Sequence, residues 1–186
     1  MTRNSIPVKE RILSTASKLF YEKGYNRTGI NEILKESKVA KASMYEHFGS
    51  KDAIFLQCLQ RMDEGLQNRV KPFIQKAKPG IDKVLSVFEF LESFCPEENF
   101  RGCWCLNTIS EIPQDKTEIL SEIRVQKARF RELIRKTVKE NLPEVNECKV
   151  ANQIYLLYEA AIIEAQIEND LWPVFSAKDT AKSLLS

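Results

Sequence analysis

Apolar residues recur every three to four positions along almost the whole chain, the period of helices with one buried face. Ile12, Leu13, Ala16, Leu19 and Phe20 form one such stripe, in a first helix expected from Pro7 to about Lys23. Proline suits a first helical turn, and Gly24 supplies a C-cap. Thr28 is expected to cap a short second helix carrying Ile30, Ile33 and Leu34. After a tight break at Ser37 and Lys38, a third short helix runs from about Ala40 to His47, with Val39, Met44 and Phe48 inward. Ser50 caps a long fourth helix with Asp52 in its first turn, where a carboxylate complements the dipole. Its apolar positions are Ala53, Phe55, Leu56, Leu59, Met62 and Leu66, and Pro72 should kink or end it.

Pro79 and Gly80 punctuate the chain before a helix bearing Ile81, Val84, Leu85, Phe88, Leu91 and Phe94, which stops near Pro96. A short helix is expected over about Gly102 to Ile112, another over Lys116 to Asn141, and a third over Val145 to Asn169. Leu171, Trp172 and Pro173 should break the chain, with Ser176 and Asp179 opening a last helix that ends in Leu184 and Leu185. No repeat interrupts this order. The fold class expected is all-α, and the scarcity of Gly (6) and Pro (7) agrees, since all-β chains need many tight turns.

Charge divides the chain. Residues 1–60 carry 10 Lys+Arg against 6 Asp+Glu, whereas residues 61–186 carry 18 against 20. A basic end on a mildly acidic remainder is the asymmetry of a protein that meets a polyanion at one end. No apolar run reaches the roughly 18 residues of a membrane span, so no membrane association is expected. Residues Met1 to Pro7 contain no apolar leader core, and five cysteines are an odd number, so a reduced, cytoplasmic chain is expected. His47 is the single histidine, which excludes two-histidine zinc motifs.

The two very short helices joined by a tight turn read as a helix-turn-helix. The third helix exposes Lys41, Ser43, Tyr45 and His47 on the face opposite Met44 and Phe48. Lys41 is a donor for phosphates or guanine edges, and small Ala42 permits close approach to a groove and to a thymine methyl. Lys51 opens the fourth helix, where free N–H groups already favour a phosphate, and Thr28 stands similarly at the second. Lys38 reads equally as a solvated charge or a phosphate ligand. His47 reads as a DNA contact or as helix-end packing.

Over about residues 8–56 the sequence resembles the TetR family of transcriptional repressors. The matching residues are Ile12, Leu13, Ala16, Leu19, Phe20, Gly24, Tyr25, Thr28, Gly29, Ile30, Glu32, Ile33, Leu34, Val39, Lys41, Ser43, Tyr45, His47, Phe48, Ser50, Lys51 and Asp52. The resemblance implies an N-terminal three-helix DNA-binding domain, residues 1–50, and a C-terminal helical ligand-binding and dimerisation domain, residues 51–186. It implies a homodimer on a double-stranded DNA operator, with Tyr45 and Lys51 on phosphates. The DNA-binding set is thus Thr28, Gly29, Lys38, Lys41, Ala42, Ser43, Tyr45, His47 and Lys51. Two positions depart from the family: Lys38 replaces a frequent Gly, which costs about 1 kcal/mol if φ is positive there. Ala40 replaces a frequent capping Ser, a loss of roughly 0.5–2 kcal/mol.

The segment Arg101 to Glu111 resembles a Gly-Cys…Asn…Glu helix of a TetR subgroup, with Gly102, Cys103, Asn107 and Glu111 in register. In that subgroup the helix lies over the effector cavity and relays its state toward the DNA-binding domain, and some members sense electrophiles or oxidants through the cysteine. A cysteine near a helix N-terminus gains thiolate character, although most free cysteines are inert small hydrophobes. Cys58, Cys95 and Cys148 read as packing residues, and Cys103 with Cys105 is no metal motif, because i and i+2 point to different faces. A small-molecule effector pocket is expected from Met62, Phe88, Leu91, Cys103, Trp104, Asn107, Phe130, Tyr155 and Tyr158. The helix 145–169 is apolar on more than one face, so a second subunit is expected to cover it. The dimerisation set is Ile154, Leu157, Ala161, Ile162, Ala181, Leu184 and Leu185.

The leading expectation is a dimeric repressor released by a small-molecule effector. The alternatives are a redox or electrophile sensor acting through Cys103 and, in a different class, a helical protein-binding adaptor. No Gly-rich phosphate loop, metal cluster or Ser/His/Asp arrangement points to an enzyme, and no cofactor is implied.

Overall fold

The computed structural model describes residues 6–185; Met1–Ser5, part of the stretch read for a leader, lie outside them. Among the described residues there are nine helices and no strand: α1 Val8–Lys23, α2 Ile30–Ser37, α3 Lys41–Phe48, α4 Lys51–Lys76, α5 Ile81–Phe94, α6 Trp104–Glu111, α7 Thr117–Asn141, α8 Glu147–Glu168 and α9 Trp172–Leu185. The all-α fold class is therefore observed. No helix among them is long and apolar enough to cross a membrane.

The chain packs as two units. The first comprises residues up to Glu64 together with Trp104–Arg124, and the second Gly65–Cys103 with Val125 onward. The division falls inside α4 and α7. At the α4 division, Gly65 faces open space, and a Cβ there would meet nothing within 4 Å.

In the first unit, α2 and α3 pack on α1. Ile12, Ala16, Leu19, Phe20, Ile33, Val39, Met44 and Phe48 are buried, as the 3.6-residue pattern requires. Ile12, Ile33 and Met44 are fully buried, each contributing about 1.5–3 kcal/mol. Phe55 of α4 meets Phe20 and Tyr25 edge-on at 4.7 and 5.0 Å between ring centroids. In the second unit α9 packs on α8 and α5, around buried Phe88, Leu91, Ile154, Tyr158, Ala161, Val174 and Ala181.

Three local expectations are corrected and one is narrowed. Thr28 does not cap α2; Gly29 stands at the N-cap without a side-chain bond. The Thr28 side chain is fully buried, and its hydroxyl donates to the Leu19 and Gly24 carbonyls at 3.2 and 2.8 Å. Of the two outcomes expected at Pro72, a kink or an end, the end is excluded, because α4 continues to Lys76. Pro72 and Asn68, whose carbonyl loses its donor, are both exposed, so water can serve that carbonyl. The last helix starts at Trp172, not Ser176: Pro173 fits its first turn, and the Asp170 carboxylate accepts from Trp172 N–H at 3.0 Å. Cys148 is exposed on the first turn of α8 and packs into no core.

The α2–α3 turn explains how lysine replaces glycine. Lys38 adopts the left-handed conformation, φ 55° and ψ 45°. Its N–H bonds to Lys35 O at 3.3 Å, and the Val39 N–H reaches Leu34 O at 3.2 Å, the paired bonds of a Schellman end. Val39 is buried beside it. The bonds and the buried valine offset the roughly 1–2 kcal/mol that a β-carbon costs there. Ala40, as expected, caps α3 without a side-chain bond.

Candidate DNA-binding surface

Two buried side chains fix how α3 sits. With Met44 and Phe48 anchored inward, Lys41, Ala42, Tyr45 and His47 are left exposed and Ser43 half-buried. The Lys41 ammonium lies 5.9 Å from the centroid of the Tyr45 ring, one helical turn away. Tyr45 is a large aromatic residue held 45% exposed on a well-anchored helix. Lys38 and Gly29 are exposed at the two ends of α2. Thr28 alone of the expected set is withdrawn from the surface.

Lys51 begins α4, whose first turn is capped by the Ser50 hydroxyl accepting from Ala53 N–H at 3.1 Å. Its ammonium sits over the Tyr25 ring, 4.1 Å from the centroid. Burial lowers the Lys51 pKa, with Asp52 opposing that effect. The Tyr25 hydroxyl donates to Asp52 Oδ1, and Lys116 donates to Asp52 Oδ2 at 2.7 Å. Burial, then the Asp52 contact, pushes the Tyr25 phenol up. Burial would raise the Asp52 carboxyl, but the hydrogen bonds from Lys116 and Tyr25 outweigh it and hold the pKa below the ordinary value. Close by, the Glu111 carboxylate accepts from Asn26 N–H at 3.1 Å, and the Asn26 amide donates to Glu111 O at 2.7 Å. Sequence reasoning singled out Asp52 only for the helix dipole and missed its partner Lys116, because the two are 64 positions apart.

The residues expected to line an effector pocket come from both units. Met62, Trp104 and Asn107 belong to the first unit; Phe88, Leu91, Cys103, Phe130, Tyr155 and Tyr158 belong to the second. In the second unit Phe130 and Phe88 stand 4.6 and 6.4 Å from the Tyr158 ring, centroid to centroid. The Tyr158 hydroxyl is buried with no hydrogen-bond partner among the described residues. Two clefts open elsewhere in this unit. One, about 300 Å³, is lined by Cys95, Pro96, Glu97, Glu98, Phe100, Ala165, Asn169, Asp170 and Leu171. The other, about 550 Å³, is lined by Ala128, Arg131, Glu132, Arg135, Cys148, Ala151 and Asn152.

Cys103 is buried, and the Lys127 ammonium of α7 donates to its sulfur at 3.1 Å and to the Glu159 carboxylate at 2.5 Å. This lysine lies 24 positions from Cys103, beyond the reach of any local pattern. Of the expected dimerisation residues, Ile154, Ala161, Ile162, Ala181 and Leu185 are buried in the second unit's own core, Leu157 is half-buried, and Leu184 is exposed. The exposed stripe of α8 is a different one: Leu156 (65% exposed), Ala160, Ile163 and Ile167 (67%), spaced 4-3-4. Trp172 and Phe175 add exposed apolar surface at the start of α9.

Residues 12–58 match the family described as bacterial regulatory proteins, tetR family. The chain is 25% identical over 188 aligned residues to the HTH-type transcriptional repressor NemR of Escherichia coli K12, covering 96% of this chain and 94% of NemR. It is 26% identical to IcaR of Staphylococcus aureus strain Newman, a negative regulator of a biofilm operon, covering 94% and 93%. The crystal structure of SCO4454, a TetR-family regulator from Streptomyces coelicolor, matches with a TM-score of 0.86 at 21% identity, covering 96% and 94%. That of E. coli NemR in its reduced form matches at 0.83 and 20%, covering 96% and 97%.

Proposed function

From the chain's membership of the TetR family of bacterial transcriptional regulators, we propose that it is a homodimeric repressor that binds a palindromic operator and is released by a small-molecule effector. The observation that carries this reading is the α3 surface: Lys41, Ala42, Tyr45 and His47 stand exposed on a helix whose other side is held by fully buried Met44. A helix presented in this way can enter a major groove, with base edges read by Lys41 and Ser43 and phosphates held by Tyr45 and Lys51. Residues 1–50 would be the DNA-reading part and residues 51–186 the part for effector and dimer.

The dimer is supported by the stripe Leu156, Ala160, Ile163 and Ile167. Its 4-3-4 spacing is that of a helix seam covered by another helix, and apolar side chains this exposed favour burial against a second copy. The effector reading is supported by the buried Tyr158 phenol, which offers an unused donor among the rings of Phe88 and Phe130. An aromatic molecule carrying a hydrogen-bond acceptor suits such a setting.

A second reading for the signal is favoured by a specific contact. The Lys127 ammonium lies 3.1 Å from the Cys103 sulfur, and a cation beside a cysteine favours the thiolate, the form that electrophiles and oxidants attack. Selection of bound duplexes from a random pool tests the function. A recovered inverted repeat is expected, with half-sites about one helical turn, ~34–36 Å, or multiples of it apart. Recovery of nothing, with binding to other proteins that depends weakly on salt, would favour the helical adaptor instead.

A further inference from the structure

Lys51 has a carboxylate as its next neighbour in sequence. Asp52 in the first turn of α4 is the obvious counter-ion for it, and a lysine paired with a carboxylate is a poor phosphate ligand. In this structure the Asp52 carboxylate, whose charge still acts on Lys51, has other hydrogen-bond partners. Both Asp52 oxygens are engaged, Oδ1 by the Tyr25 hydroxyl and Oδ2 by Lys116 at 2.7 Å. Lys51 instead rests on the face of the Tyr25 ring, 4.1 Å from its centroid. A ring face attracts an ammonium without neutralising it, so the charge stays available. Tyr25 thus has two jobs: its hydroxyl occupies the carboxylate while its ring seats the lysine.

We propose that Lys116 is a positioning residue for operator binding: by occupying Asp52 Oδ2 it competes with Lys51 for that carboxylate and leaves the Lys51 ammonium available to a DNA phosphate. The inference rests on the phosphate role proposed above for Lys51. Lys116 lies immediately before α7 and shares its short segment with Glu111, which ends α6 and bonds Asn26. Lys116 on Asp52 and Glu111 on Asn26 therefore come from one stretch, residues 111–116. Lys116 and Lys51 are the two cations acting on the Asp52 carboxylate. When Lys116 withdraws, Oδ2 loses its partner and Lys51 is the cation left to supply one. Release of Asp52 then turns Lys51 from a phosphate ligand into half of an internal ion pair.

The test is a double-mutant cycle read by fluorescence anisotropy, on a labelled duplex recovered by selection from random DNA, across a range of salt. The proteins are the wild type, Lys116→Met, Lys51→Met and the double variant, with thermal melting of each as the folding check. Loss of one phosphate contact flattens the log–log salt dependence by about 0.9. Lys51→Met is expected to flatten it by about that much. Lys116→Met should flatten it by up to the same amount and weaken binding about 2–5-fold at ~150 mM salt. The double variant should be no flatter than Lys51→Met alone, and Lys116→Arg should bind as the wild type. Tyr25→Phe alters no charge, frees Oδ1, and should weaken binding in the wild-type background but not in Lys51→Met. If Lys116→Met costs the same factor with and without Lys51, the lysine acts as an independent charge and the inference is overturned. If Lys51→Met leaves affinity and slope unchanged, the phosphate role itself fails and the inference falls with it.

Discussion

The Glu111 carboxylate, at the end of α6, fills the space into which a side chain on Gly24 would grow. Gly24 has φ 82° and ψ 171°, a region open essentially to glycine alone, and its own carbonyl accepts from the Thr28 hydroxyl. Gly24→Ala is therefore expected to destabilise the fold by about 1–3 kcal/mol in urea unfolding. Glu111→Ala should cost about 0.5–1.5 kcal/mol through the lost Asn26 bond. Gly24→Ala should remain damaging in the Glu111→Ala background, because the backbone conformation survives removal of the carboxylate. A neutral Gly24→Ala would contradict this account.

Lys38 carries its side chain in a left-handed turn, so Lys38→Gly should raise stability by up to about 1 kcal/mol. Lys38→Asn tolerates the same conformation and also removes the charge. Comparison of the salt dependence of DNA binding for the two variants and the wild type shows whether the ammonium meets a phosphate. Equal slopes would make Lys38 a solvated charge.

On α3 the two faces should respond differently. Tyr45→Phe should weaken binding to every sequence alike, whereas Lys41→Ala or Ser43→Ala should alter preference at particular base pairs. Measurement against a panel of single-base-pair operator variants separates the two patterns. Met44→Ala should act on folding instead, costing about 2–5 kcal/mol, because Met44 is fully buried.

The α8 helix offers a paired comparison. Ile163→Glu places a charge in the exposed stripe and should convert a dimer to a monomer in sedimentation, with the helical spectrum kept. Ile154→Ala should leave assembly intact while lowering stability by about 2–5 kcal/mol, since Ile154 is buried within its own unit. The reverse outcome would move the dimer seam to the other face.

The cysteines should separate by alkylation at neutral pH. Cys148 is exposed and should label first. Burial pushes the Cys58 thiol from an ordinary value near 9.0 up to about 11, and the Cys95 thiol likewise, so both should resist. A raised thiol pKa favours the fold while the group is protonated. That contribution is complete below about 9 and is lost as pH rises through about 11, so Cys58→Ala should blunt alkaline destabilisation. Treatment with a mild oxidant should lower operator affinity in the wild type and leave Cys103→Ser unaffected if Cys103 carries the signal. Equal responses would make Cys103 a packing residue.

The helix-turn-helix was legible in the sequence because its constraints are local. Gly24, Ser50 and the inward pattern of Val39, Met44 and Phe48 each act within one turn, and even the strained Lys38 could be placed from its neighbours. Legibility fell where a residue's role depended on distant packing. Thr28 has the chemistry of a cap, yet its hydroxyl turns to the Leu19 and Gly24 carbonyls. Pro173 looked like a break because proline is equally at home ending one helix or opening another. On α8 the faces through Ile154 and Ile163 are alike in composition, and only the docking of α9 and α5 decides which is inside. The aromatic residues suggest a pocket, but aromatic residues at helical spacing also build core, and the spacing alone does not separate the two.

Gly65 is the residue of α4 at which the second packing unit begins. Alanine at this position would touch nothing and would favour the α4 helix by about 1 kcal/mol, so glycine softens the helix at the residue where the chain passes from one packing unit to the other. Cooperativity is expected to divide at such a point. Hydrogen exchange would resolve two foldons with separate opening free energies, and Gly65→Ala should draw those energies together without altering a single tertiary contact.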